Sequence, residues 1–490
     1  MKLTLQTRAF LVTFALLVAS NCNAQGDGTL YNEKYRPQFH YTAEEGWLND
    51  PNGLVYYDGE YHLFYQHTPS ANRVLDDTRW GHAVSTDLVH WSQLQDALLP
   101  QIDDDGKKYP AFSGSAVVDH ANSSGFQIGE APPIVAIYTA WGLGQFLSYS
   151  NDRGRTWTTY QGNPVLELEN DDKRNFRHSA RDPKVFWHAE SERWIMLLFQ
   201  VVDGKQGFGI HRSRDLKQWV YESHIPGFYV CPDLFQLPID GDRDNLQWVI
   251  LDWEKYALAD FNGQRIVRLS DVRNLDFGKN YSANQSWANL PSNDGRRIQI
   301  AWMRHAQYPD MPFNQQMTFP RELTLRKIGD KVLMYQWPIR EIESLVESTK
   351  GFDTFTLKPG ENPLASESAE LLDIQLKVIP TRASTITLNL RGNDIVYDPS
   401  AGTVQCMNDR VQIHPPGEAA DKFELRALLD RTSLEIFIGE GRWTMTLAFL
   451  PEEENISHSL NALGGEVVVE SLVIRRMRSS WQDKPDRADP

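Results

Sequence analysis

Cysteine is scarce in this sequence: three residues in 490, one of them, Cys22, inside an N-terminal apolar segment. The other two, Cys231 and Cys406, are too few for a disulfide framework or a structural zinc site. Positive charge is also in short supply. Lys and Arg number 49 against 65 Asp and Glu, and the net charge is −16. That balance argues against nucleic acid as a partner, because phosphate binding needs a basic surface. Long apolar runs are missing as well, so no transmembrane segment is expected. The one apolar run, Ala9 to Ala19, follows Lys2 and Arg8 and precedes Cys22-Asn23-Ala24. This is the pattern of a secretory signal peptide cleaved after Ala24, and it predicts a secreted or periplasmic protein. A lipoprotein reading would cleave at Cys22, but Asn21 fits that poorly.

What is abundant is aromatic: 15 Trp and 18 Tyr. Both β-sheet packing and sugar stacking use such residues, and composition alone favours packing. Short apolar or alternating runs are punctuated by Asn52-Gly53, Asp58-Gly59, Asp240-Gly241 and Asn262-Gly263, so the chain reads as all-β. An internal repeat is visible. Ser85-Thr86-Asp87 with Trp91 is echoed by Ser150-Asn151-Asp152 with Trp157, and again by Ser213-Arg214-Asp215 with Trp219, at a spacing of about 64 residues. A repeated sheet of that period predicts propeller blades, with two more starting near Asp233 and Arg297, hence about five. A long β-sandwich with chance similarities is the alternative.

After Trp337-Pro338 the pattern changes. Ile339 to Leu345 is short and helix-like, and alternating strands such as Asp373–Val378 and Ser433–Ile438 follow, as in an antiparallel sandwich. The expected division is a signal peptide over 1–24, a five-bladed β-propeller over 25–337, a linker over 338–350, a C-terminal β-sandwich over 351–482, and a polar tail over 483–490.

In a propeller the residues opening each repeat converge on the central channel. The first repeat opens with Trp47-Leu48-Asn49-Asp50-Pro51-Asn52-Gly53, the third with Arg181-Asp182-Pro183, and the fourth with Val230-Cys231-Pro232-Asp233. Two of these present an acid before proline, which holds the preceding residue extended. For one isolated Asp-Pro a plain strand start is the better reading; two in register point to carboxylates aimed into the channel. Paired carboxylates in a polar, aromatic-lined pocket are the equipment of a glycosidase.

These motifs resemble glycoside hydrolase family 32, the invertase, inulinase and levanase family. Trp47–Gly53, Phe112-Ser113-Gly114-Ser115, Arg181-Asp182-Pro183 and Cys231–Phe235 match four of its blocks in order. Gln66, Trp80-Gly81-His82, Pro312–Gln316 and Asp430–Phe437 match others, so the resemblance covers roughly residues 37 to 482. It implies a five-bladed propeller plus a β-sandwich. It also implies Asp50 as nucleophile at C2 of a fructofuranosyl unit and Asp182 as transition-state stabiliser. Asn49, Gln66, Trp80, Phe112, Ser113, Arg181 and Trp302 would line the fructose pocket. The expected partner is a fructose-containing oligo- or polysaccharide such as levan, inulin or sucrose, handled by a retaining mechanism without metal or cofactor.

One position departs from the family pattern. The family's general acid/base glutamate precedes the Cys-Pro-Asp block, and here Val230 stands there. Valine donates no proton; Glu222 is not spaced to reach the channel, and Asp233 already has a counterpart in the family. Two functions therefore compete: a β-fructosidase with impaired turnover, and a fructan-binding protein without turnover on the same scaffold. An arabinan-directed glycosidase on a related propeller is a third reading, against which Trp47–Gly53 and the rear sandwich speak.

Overall fold

In the computed structural model the described residues are 30–168, 179–291, 293–381, 384–418, 421–452 and 455–481. The expected signal peptide and polar tail lie outside them. Among the described residues nearly all regular structure is strand, and no helix is long and apolar enough to cross a membrane.

Five mainly antiparallel blades follow one another along the chain, the fourth and fifth joined into one nine-stranded sheet by a parallel contact between Ile239 and Leu325. Their first strands are Gly46–Tyr57, Ala111–Val118, Arg181–His188, Asp233–Ile239 and Tyr281–Ser286. The fifth blade thus opens at Tyr281, and Arg297 begins its second strand, so the blade starts earlier than the sequence pattern suggested. The ring closes where Phe313–Asn314, between the second and third strands of the last blade, pairs in parallel with Gly46 and Trp47 of the first.

The repeated Ser-x-Asp element has a local cause. In the first blade Ser85 Oγ donates to Asp87 Oδ1 (3.0 Å), the Val89 amide donates to the same oxygen (2.9 Å), and the Trp91 indole donates to the Leu88 carbonyl (3.2 Å). Ser150, Asp152 and Trp157 rebuild the turn in the second blade, and Ser213, Asp215 and Trp219 in the third. Side-chain oxygens thus satisfy turn amides, and the indole caps the loop against the sheet.

Behind the propeller two sheets pack face to face around a separate core that includes Leu376, Leu388, Ile436 and Leu472. The connection is a 3-10 turn, Arg340–Leu345. Val346–Phe352 already pairs with Val467–Met477 of the sandwich, so the connection is shorter than a linker through residue 350. The propeller and sandwich are joined by buried ion pairs. Glu435 pairs with Arg321, which also bonds Asp276 (3.0 Å). His40 lies between Asp430 (2.8 Å) and Glu435 (2.7 Å).

Candidate active site

The pocket is assembled from irregularities in the inner strands. Regular pairing breaks between Leu48 and Pro51, between Ala111 and Gly114, and between Arg181 and Lys184. Those breaks bracket Asn49-Asp50, Phe112-Ser113 and Asp182. A bulge bends its strand and re-aims a side chain, and here three bulges turn residues of three blades toward one point. Asp182 (φ 60°) and Cys231 (φ 53°) adopt left-handed backbone, an uncommon conformation outside glycine that functional sites often hold.

Ser113 Oγ donates to Asp50 Oδ2 at 2.7 Å, Asn49 Nδ2 to Asp50 Oδ1 at 3.1 Å, and Gln66 Nε2 approaches Oδ2 at 3.4 Å. Asn49 is itself fixed by Gln66 Oε1 (2.7 Å) and by the Trp47 indole (3.0 Å). The Asp50 carboxylate is therefore held by three donors on two blades, which is preorganisation. Only 8% of Asp50 and 7% of Asp182 is exposed.

Asp182 receives the Cys231 amide at 3.3 Å and lies 3.7 Å from Arg181 Nε. Burial pushes its carboxyl up to about 6; the Arg181 guanidinium pulls it down and the Asp50 carboxylate adds to the rise. Arg181 is stacked over Phe199 (4.6 Å), and its Nη2 reaches the Tyr229 hydroxyl (3.5 Å). Cys231 Sγ is 3.8 Å from Oδ2 of both carboxylates. Trp302 is pinned by Gln315 Oε1 (3.0 Å) and meets Trp253 edge to face (6.4 Å).

Asn49, Asp50, Gln66, Ser113, Arg181, Asp182 and Cys231 thus come together in one bonded cluster, with Phe112 beside Ser113 and stacked on Trp141 (4.8 Å). Trp80 is different. It is fully buried, its indole donates to the Phe112 carbonyl (2.9 Å), and its ring packs on Phe64 and Tyr138. It sits opposite Gln66, one strand further from the axis. Trp80 therefore supports the backbone of Phe112 and does not line the pocket as expected. The same packing explains Gly53, where a Cβ would sit 2.8 Å from both Phe64 and Trp80.

Val230 is buried in the apolar cluster that also holds Phe228, Leu234 and Trp302. Glu222 pairs with Arg212 (2.7 Å) on the outermost strand of the third blade, away from the cluster. Asp233 is spent on Lys184 (3.2 Å) and Ser286. Both carboxylates are thus committed to other partners. The sequence reading missed Asp252, whose carboxylate accepts the amides of Tyr229 (3.1 Å) and Lys255 (2.9 Å). It thereby fixes the backbone leading into Val230; no local motif marks it.

Residues 40–338 match the family model described as glycosyl hydrolases family 32 N-terminal domain, and residues 341–476 match that of the family 32 C-terminal domain. The chain belongs to glycoside hydrolase family 32. The levanase of Bacillus subtilis is 35% identical over 97% of this chain and 75% of its own length. The crystal structure of exo-inulinase from Aspergillus awamori superposes with a TM-score of 0.81 at 27% identity, covering 92% of this chain and 100% of that one. A fructofuranosidase of Schwanniomyces occidentalis, a glutamate-to-alanine variant complexed with fructosylnystose, gives a TM-score of 0.78 at 26% identity over 92% and 99% of the two chains. The five-bladed propeller with a rear β-sandwich is thus the family 32 architecture.

Proposed function

We propose that this chain is a β-fructofuranosidase that engages a terminal fructosyl unit of a levan, inulin or sucrose-type substrate, with turnover slowed by Val230. The observation that carries this reading is the Ser113, Asn49 and Gln66 donor set on the Asp50 carboxylate. Such a carboxylate is held in one orientation, ready to attack the anomeric C2. In a retaining displacement the C2–Asp50 bond forms as the bond from C2 to the leaving oxygen breaks, and water then hydrolyses the fructosyl-enzyme. Asp182, with Arg181 beside it, grips fructosyl hydroxyls. Phe112 and Trp302 supply apolar contact.

The first step leaves an alkoxide that needs a proton. Val230 holds none, and losing general acid catalysis costs about 10²–10⁴-fold. The same substitution favours the second reading, a fructan-binding protein without turnover. The relative captured with fructosylnystose while lacking a glutamate supports the idea that binding outlives such a loss. The N-terminal Ala9–Ala24 pattern and a relative named extracellular exo-inulinase support export.

The test is fructose release from levan, inulin and sucrose beside calorimetric binding of the same sugars. Slow release that sodium azide diverts to β-fructosyl azide supports the first reading, since azide attacks the fructosyl-enzyme without a general base. Binding without release or azide adduct supports the second. No binding of any fructoside sinks both.

A further inference from the structure

The far end of the propeller axis carries a second cavity, of about 740 Å³. The inner strands of the second and third blades, which carry Ser113 and Asp182 near their starts, run on to Val117 and Phe186, and both of these line it. None of the residues that bond Asp50 or Asp182 does. Its volume falls within the range of small-molecule sites.

The charges in it do not balance. Asp233 is fully committed, accepting the Ser286 amide (2.9 Å) and hydroxyl (2.7 Å) and pairing with Lys184 (3.2 Å), which also donates to the Ser286 carbonyl (3.1 Å). That pair is closed. Arg297 feels the Asp233 charge but has no carboxylate at ion-pair distance among the described residues. Its guanidinium lies over Phe235 (4.7 Å), Nη1 donates only to the Trp287 carbonyl (3.2 Å), and Nε is buried with no hydrogen-bond partner among the described residues. Arg243 lines the same cavity. Neither arginine forms an ion pair with a carboxylate among the described residues, although the chain carries a net charge of −16. A structural role for the cluster accounts for Lys184 and Asp233 but leaves two guanidinium groups facing one cavity. The wall beside them is aromatic: Trp187 is 46% exposed, braced edge to face by Trp194 (5.2 Å), and Phe186 meets Trp248 (6.1 Å).

We propose that this cavity is a second ligand site, for an acidic monosaccharide whose anionic group meets Arg297 and Arg243 while its carbon face lies on Trp187. A guanidinium presents paired donors that match carboxylate or phosphate oxygens. A neutral sugar leaves both charges unanswered, and a bare inorganic anion leaves the indole wall empty.

The full chain is titrated with glucuronate, glucose 6-phosphate, glucose and inorganic phosphate, followed by tryptophan fluorescence and calorimetry. Saturable binding of glucuronate or glucose 6-phosphate is expected, about tenfold or more tighter than glucose and inorganic phosphate. The preferred acid tells carboxylate from phosphate. Arg297→Gln and Trp187→Ala each weaken it by a similar factor, whereas Asp50→Asn leaves it unchanged and so separates this site from the fructoside pocket. If Arg297→Gln does not fold, Trp187→Ala, on the exposed rim, carries the test. No saturable binding of either acid up to about 10 mM overturns the proposal. So does equal binding of inorganic phosphate, or binding that survives Trp187→Ala but is lost in Asp50→Asn.

Discussion

Cys231 Sγ touches the carboxylates of both Asp50 and Asp182, 3.8 Å from each. Burial raises the Cys231 thiol well above its ordinary range, and the Asp182 and Asp50 charges push it further, so it stays a neutral filler between two acids. Residue 230 is its immediate neighbour, which places the valine one residue from the group that touches both carboxylates.

Val230→Glu should therefore raise kcat for fructose release by about 10²–10⁴-fold, the usual worth of a positioned acid. Val230→Gln, equal in shape but unable to give a proton, should show no such gain. Initial rates on levan across pH check this, and a Glu variant as slow as the parent would mean that more than the acid is missing.

Asp182 carries a stability cost. Its folded pKa of about 6 lies above the ordinary aspartate value of 3.8, so its contribution to stability is full below about pH 4 and is lost as pH rises through 6. The shift corresponds to about 3 kcal/mol at neutral pH. Asp182→Asn should unfold at higher urea than the parent at about pH 7.5, with the advantage vanishing near pH 4, while fructoside binding falls. Equal urea midpoints at neutral pH would refute this. The expected trade is stability given up for a charged group in a closed site.

His62 and His82 form a buried pair, Nδ1 to Nε2 at 3.0 Å, with His82 stacked on Phe64 (4.1 Å). Burial lowers His62 to about 4, Glu60 only partly opposing, and lowers His82 too. Both are neutral when folded, so stability is full above the unfolded value of 6.5 and falls as pH drops toward 4. For His62 alone the loss reaches roughly 3 kcal/mol. Melting temperature measured from about pH 7 to pH 4 should fall, and a His62→Asn variant should show a shallower slope. Parallel slopes would count against the pair as the cause.

His40 does the opposite. Burial alone would lower it, but the hydrogen bonds to Asp430 and Glu435 and the charges of both outweigh that and hold it at about 9. Its contribution is full below pH 6.5 and is lost as pH rises through about 9. Glu435→Gln, which leaves His40 and Arg321 short of a counter-charge where propeller meets sandwich, should cost about 3–5 kcal/mol. Urea unfolding at neutral pH measures it; a loss below about 1 kcal/mol, the worth of a surface pair, would show that the junction does not depend on this network.

Features encoded over short stretches of chain were legible from the residues alone. The Ser-x-Asp turns with their tryptophans can be read because each closes its hydrogen bonds within a few neighbouring residues. Asp50, Asp182 and the valine at 230 can be read because short motifs carry them. How these residues meet is a long-range matter. A bulge does not alter the residue pattern that predicts a strand, so the turning of Asp50, Ser113 and Asp182 toward one point is invisible until the strands pair. The burial of Trp80 depends on its distance from the propeller axis, which no alternation records. Asp252 acts on a backbone amide 23 residues away, and His40 on carboxylates 390 and 395 residues away. Lys184, Asp233 and Arg297 line one cavity only because five blades enclose a common space.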